Sequence, residues 1–326
     1  MGPEFQRIEA FVAAARASPR APAGPGDDAA VMSRVRGETC VTVDAVVEGV
    51  HFRRATGRLE DVGHKALAVN LSDLAAMGAR PRWALVALGV PRGFSLHEAR
   101  ALGAGFGALA RQSGTALVGG NVTRAPGLSL TVTVGGEVAR GRALLRSGAR
   151  PGDVIWVSGT LGDARLGLDL LERPGGPAAR RLRRHPRLAR AARMRQLRPS
   201  ARLALGRALV GLASACIDLS DGLIQDAGHV AAASGVALHL ALEALPCSAA
   251  LVAAHPRPTD RARMAASGGE DYELLFTTPP SRAPAVMRLA RRLGLPLTPI
   301  GQVRRGRGVH PTGARASRLR GFDHLA

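Results

Sequence analysis

The chain has 326 residues, 46% of them apolar, with a formal charge of +20; that length exceeds what one hydrophobic core usually serves, so two domains are expected. Apolar runs such as Trp83 to Val90 are too short to cross a bilayer, which excludes a spanning protein, and the acidic N-terminus without a cleavable apolar segment reads as cytoplasmic. Aromatics make up 3% and the arginines are scattered, which argues against nucleic acid as a partner despite the charge; Cys40, Cys216 and Cys247 show no metal or redox spacing.

After a short N-terminal helix, Thr39 to Asp44 reads as a strand that delivers Asp44 at its end. Asp61 caps a helix to Ala76, closed by Gly78 and stopped by Pro81. Trp83 to Val90 is a buried strand, Ser95 caps a helix to Gln112, and strands follow at Thr115 to Gly119 and Leu128 to Val138. Arg150-Pro151-Gly152 marks the boundary between domains 1–149 and 150–326. Beyond it, Asp153 to Ser158 is a strand, and Gly159 to Asp163 opens a helix. Glu172 to Pro199, rich in Arg, Pro and Gly, reads as an exposed connection with helical pieces. A helix at 201–212, a strand at 215–219, a helix at 221–234, strands at 236–242 and 272–277, a helix at 281–293 and a strand at 299–303 complete a mixed α/β second domain.

In so basic a chain the placement of the acids is informative. Asp27 and Asp28, Asp44, Asp73, then Asp218, Asp221, Asp226, Glu270, Asp271 and Glu273 interrupt apolar or glycine-bordered stretches. A carboxylate in such a setting needs a cation, hydrogen bonds or a shifted pKa. Oxygen donors without His or Cys partners suit magnesium better than zinc, and no twelve-residue acidic loop suggests calcium. Each segment also has a plainer reading: a turn at Gly26 to Asp28, an arginine partner for Asp44, a helix cap at Asp218 to Asp221. Gly119-Gly120, Gly159 to Gly162 and Gly268-Gly269 are turns at which backbone N–H groups can meet anionic oxygens. Walker and protein-kinase motifs are absent. Lys65 is the one lysine in the chain, a compact ammonium where a guanidinium would otherwise stand.

The stretches PGDDAAV (25–31), TVDAVVEGVHF (42–52), KALAVNLSDLAAMGARP (65–81), GGNVTRA (119–125), RALLRSGARPGD (142–153), IDLSDGLIQDAGH (217–229), SGGEDYELLF (267–276) and GFDH (321–324) together resemble the thiamine-monophosphate kinase family, relatives of aminoimidazole-ribonucleotide synthetase. The resemblance implies a two-domain α/β fold of the aminoimidazole-ribonucleotide-synthetase type. It also implies a homodimer whose N-terminal strands share a barrel, and transfer of a phosphoryl group from ATP to thiamine monophosphate. By motif position, Asp28, Thr42, Val43 through its backbone, Asp44, Asp73, Asp218 and Asp221 match magnesium ligands; Gly120, Arg146 and Ser220 match ATP contacts; His51, Glu270 and Phe322 match contacts to the thiamine ester. Asn121 stands where the family usually has aspartate, which keeps a ligand oxygen and removes a charge. A related ATP-dependent synthetase and a basic nucleic-acid-binding protein are the rival readings.

Overall fold

The computed structural model describes residues 3–15 and 37–313; the expected sites at Asp28 and Phe322 lie outside them. The elements in order are α1 (Pro3–Ala15), β1 (Glu38–Val47), α2 (Leu59–Ala76), β2 (Arg80–Val90), α3 (Leu96–Ser113), β3 (Ala116–Arg124), β4 (Ser129–Val138), β5 (Val154–Ser158), α4 (Asp163–Glu172), α5 (Pro177–Leu182), α6 (Pro186–Leu197), α7 (Leu203–Leu209), β6 (Ala215–Asp218), α8 (Leu223–Ser234), β7 (Ala237–Ala241), α9 (Ala249–Ala254), α10 (Pro258–Ser267), β8 (Leu274–Thr278), α11 (Ala283–Leu293), β9 (Leu297–Arg304) and β10 (Gly308–Thr312). They fall into two compact units, Met1–Leu74 with Ala79–Gly141, and Ala75–Gly78 with Arg142–Ala326.

The first unit carries a four-stranded sheet in the order β1-β4-β2-β3, with β2 and β3 parallel and the other pairs antiparallel. Alternation sorts its side chains: Val86, Val132 and Val134 are buried toward the helices, whereas Val41 (59%), Val43 (61%) and Leu85 (36%) are exposed on the opposite face. Ser95 and Glu98 form a reciprocal capping box at the start of α3, and Gly114 ends it at φ 72. Glycine lets α2 and α3 approach backbone to backbone, since a Cβ on Gly63 would lie 2.0 Å from the Leu102 carbonyl oxygen and one on Gly105 1.8 Å from that of Glu60.

The second unit holds a six-stranded mixed sheet, β10-β7-β9-β5-β8-β6, in which β10 and β7 run parallel. Its central strands are apolar on both faces, as strands covered on both sides must be. Ile155, Val157, Ile217 and Leu275 pack with α8 residues Leu223 and Val230. Trp156, Cys216, Leu274 and Phe276 pack with Leu205, Leu209, Val286 and Leu289 of α7 and α11.

The structure bears out the helical pieces expected at Glu172 to Pro199 and revises their exposure. The segment folds as α5 and α6, and Leu182 and Ala192 are buried against α4 and α9 residues. Its arginines from Arg173 to Arg190 are exposed, while Leu188, Ala192 and Gln196 recur every fourth residue on the inner face. β10, α9 and α10 were not expected.

Candidate active site

In the first unit, Thr42 on β1 donates its hydroxyl to Oδ2 of Asp73 on α2 at 2.6 Å. Asp44 lies two residues on from Thr42, on the same face of β1, and accepts from the Ala45 N–H at 2.8 Å. Val43 projects to the other face from this outermost strand. The chain then turns back tightly: His51 donates its backbone N–H to the Val47 carbonyl, and its ring Nδ1 accepts the Val47 N–H at 3.1 Å. A ring that accepts at Nδ1 carries its neutral-state proton on Nε2. Lys65, 3% exposed, donates to the His51 carbonyl at 3.1 Å and so fastens this turn to α2.

Gly120 and Asn121 are not beside these groups. The register aligns Asp44, Val132, Val86 and Gly120 in one row across the sheet, so that β1 and β3 ligands stand at its opposite edges, about 14 Å apart at three strand spacings. A side chain at position 120 would meet the Val86 carbonyl oxygen at 2.1 Å, which reserves that place for glycine.

In the second unit, β6 ends on Asp218, 4% exposed, followed by Ser220 and Asp221 before α8. Asp226 on α8 accepts the backbone N–H groups of Asp221 and Gly222 at 3.2 and 3.1 Å. Burial, with Asp218 and Asp221 alongside, pushes its carboxyl up to about 8. Ligand atoms of Asp221, Asp226 and His229 lie within 4.8 Å of one another. The segment that carries Arg146 runs beside β6, where the Leu145 carbonyl accepts the Cys216 N–H at 2.9 Å, and Arg146 itself is exposed.

The loop 268–273 docks on the same strand end. Glu270 donates its N–H to the Ser220 carbonyl at 2.7 Å, and Tyr272 donates to that of Leu219 at 2.8 Å. Both residues adopt left-handed backbone, φ 66 and φ 51, a strained conformation that the surrounding bonds hold in place. Beneath them, Asp271 accepts the N–H groups of Gly162 and Ala164 at 2.6 and 3.1 Å; complete burial lifts its carboxyl to about 7, even though these bonds and Arg195 lower it. Glu273 is enclosed by Ser158, Arg195 and Arg202. The structure thus brings Asp218, Ser220, Asp221 and Glu270 together, and Thr42 with Asp73. Arg195, Gln196, Arg202 and His229 were missed, because they sit in arginine-rich or helical stretches whose pattern shows no chemistry.

Two family models match the chain: AIR synthase related protein, N-terminal domain, over residues 26–138, and its C-terminal domain over residues 150–313. A thiamine-monophosphate kinase from Salmonella typhimurium is 43% identical over 282 residues, covering 86% of this chain and 83% of that one. The chain belongs to the thiamine-monophosphate kinase family. Family members of known structure agree throughout: the thiamine-monophosphate kinase from Stenotrophomonas maltophilia superposes with a TM-score of 0.86 at 44% identity, covering 96% of this chain and 98% of that one. AaThiL complexed with AMPPCP and TMP matches with a TM-score of 0.78 at 35% identity, covering 92% and 91%. Among the described residues, no helix is long and apolar enough to cross a membrane.

Proposed function

We propose that the chain transfers the terminal phosphoryl group of ATP to thiamine monophosphate, giving thiamine diphosphate and ADP, by direct in-line displacement with several magnesium ions. The observation that carries this reading is its likeness, over 92% of its length, to a kinase captured with an ATP analogue and TMP.

Magnesium fits the donors present. The hydroxyl and carboxylate oxygens at Thr42 and Asp73, and the carboxylates crowded around Asp226, are hard ligands whose mutual repulsion a dication offsets. Thr42, the Val43 carbonyl, Asp44 and Asp73 would hold it in the first unit, and Asp218 and Asp221 in the second. Asn121 contributes an uncharged oxygen, and Asp28 completes the set that the family resemblance implies. When bound, magnesium neutralises charge on the phosphates of ATP.

The remaining steps belong to the chain. Gly120 lets a phosphate approach the backbone, Ser220 offers a hydroxyl, and the exposed Arg146 offsets charge on the transferring group. His51, with its ring proton on Nε2, Glu270 and the aromatic Phe322 orient the acceptor. A general base is unnecessary, because a phosphate monoester has a second pKa of about 6 and is already an oxyanion nucleophile at neutral pH.

The reading includes a homodimer in the cytoplasm, where ATP is abundant. The exposed apolar face at Val41, Val43 and Leu85 is what a second copy would cover. Any ion that used both Asp44 and Asn121 would take them from two protomers, given their separation across one sheet. Val43→Glu is expected to shift the sedimentation of the protein toward monomer.

Purified protein incubated with ATP, magnesium and thiamine monophosphate should yield thiamine diphosphate and ADP in equal amounts. Asp73→Asn should lower kcat/KM by about a hundredfold or more. Absence of the diphosphate refutes the activity, and isotope exchange between ATP and ADP without acceptor refutes direct transfer.

A further inference from the structure

The last turn of α6 places a polar side chain for which the reaction above has no use. Gln196 is 5% exposed and faces inward with Ala192, one turn earlier. Its backbone is held close to α4: a Cβ added to Gly167 would lie 2.2 Å from the Ala192 carbonyl oxygen and 3.0 Å from Gln196 Cβ. From there Gln196 donates Nε2 to Oε2 of Glu270 at 2.5 Å. An ionised carboxylate only accepts, so the amide nitrogen must face it, and a flipped amide would set oxygen against oxygen. The other end of the amide, Oε1, is therefore fixed in place, buried and without a hydrogen-bond partner among the described residues. Buried acceptors without donors are rare in folded proteins because nothing replaces the water they lose. This one adjoins Glu270, whose backbone is held at φ 66.

We infer that Gln196 Oε1 accepts a hydrogen bond from the acceptor substrate and reads its aminopyrimidine ring. The inference rests on thiamine monophosphate being that substrate, and narrows the contact to one group. Apart from the reacting phosphate, the molecule carries N–H donors at one place, the exocyclic amine of the pyrimidine; the thiazolium ring has none. A site built to receive an N–H group discriminates strongly against an analogue that lacks it, because its acceptor is left buried and unsatisfied. Gln196 thus acts as a specificity residue, and Glu270 acts in part by orienting it.

The test compares steady-state kinetics on thiamine monophosphate and on its desamino analogue, in which hydrogen replaces the exocyclic amine. For the wild-type protein, removal of the amine should lower kcat/KM roughly ten- to a hundredfold. Gln196→Met, similar in length but without the amide, should lower kcat/KM for thiamine monophosphate by a similar factor, chiefly through KM for that ester. It should leave the analogue nearly unaffected and KM for ATP unchanged. Gln196→Leu is the second variant should the first fold poorly, and the wild-type comparison requires neither. Equal losses on both esters would mean that Gln196 only supports the fold, and no discrimination by the wild type would mean that Oε1 meets nothing on the substrate; either overturns the inference while the kinase activity stands. If the wild type phosphorylates neither ester, the proposed function fails and this assignment falls with it.

Discussion

Arg202→Met removes half of the cationic shell around a carboxylate that has no access to water. The Glu273 side chain is 0% exposed, accepts the Ser158 hydroxyl and Arg195 Nη2 at 2.6 Å each, and receives Arg202 through both Nε, at 2.6 Å, and Nη2. Methionine keeps most of the apolar stem of arginine, so lost packing contributes little. Breaking a buried pair costs about 3–5 kcal/mol, and because Arg195 and Ser158 remain, about 3 kcal/mol is expected. The chain has two tryptophans, so in a Trp83→Phe background the fluorescence of Trp156 reports on the second unit, whose core it shares with Phe276. With a urea slope of about 2 kcal/mol per molar, the midpoint should fall by about 1.5 M. A fall below about 0.3 M would place the pair among exposed ones, and would refute the claim that Glu273 depends on this guanidinium.

Gly105→Ala should cost about 2–3 kcal/mol or more, read as a lower Tm, since its methyl group would need the space of the Glu60 carbonyl and α2 would have to move away from α3. Asp271 gives a pH signature. Its carboxyl, raised to about 7 by burial, binds its proton more tightly folded than unfolded. That contribution to stability is therefore present at low pH and is lost as pH rises from the ordinary carboxylate range through about 7. The stability gap between wild type and Asp271→Asn should narrow from about pH 5 to about pH 8 in urea titrations at constant ionic strength; a constant gap would contradict the assignment.

Strands rich in β-branched residues, helices with a serine cap or a terminal glycine, and the carboxylates themselves were legible along the chain because each is a local pattern. Other features depend on partners distant in sequence. The opposite placement of Asp44 and Asn121 follows from strand order, which no short motif encodes. The helical pieces within Glu172 to Pro199 were legible, but their burial was masked by the arginines, although Leu188 and Ala192 carry the inner face. β10 escaped notice because Pro311 argues against a strand, yet an outermost strand tolerates a proline. In α10, Pro258 occupies the first turn of the helix, where its missing N–H costs nothing. Gln196 gave no signal, since its meaning lies in which end of its amide Glu270 leaves over.

The buried ammonium at position 65 bears on how the protein can be handled. With its one lysine 3% exposed and bonded to the His51 carbonyl, the folded surface offers amine-directed reagents almost no side chain to attack. Acylating labels, lysine cross-linkers and immobilisation through primary amines would all converge on the chain's α-amino group, whereas guanidine-directed chemistry would find targets in nearly every segment. Rapid acylation of Lys65 would then report that the turn carrying His51 has come loose from α2.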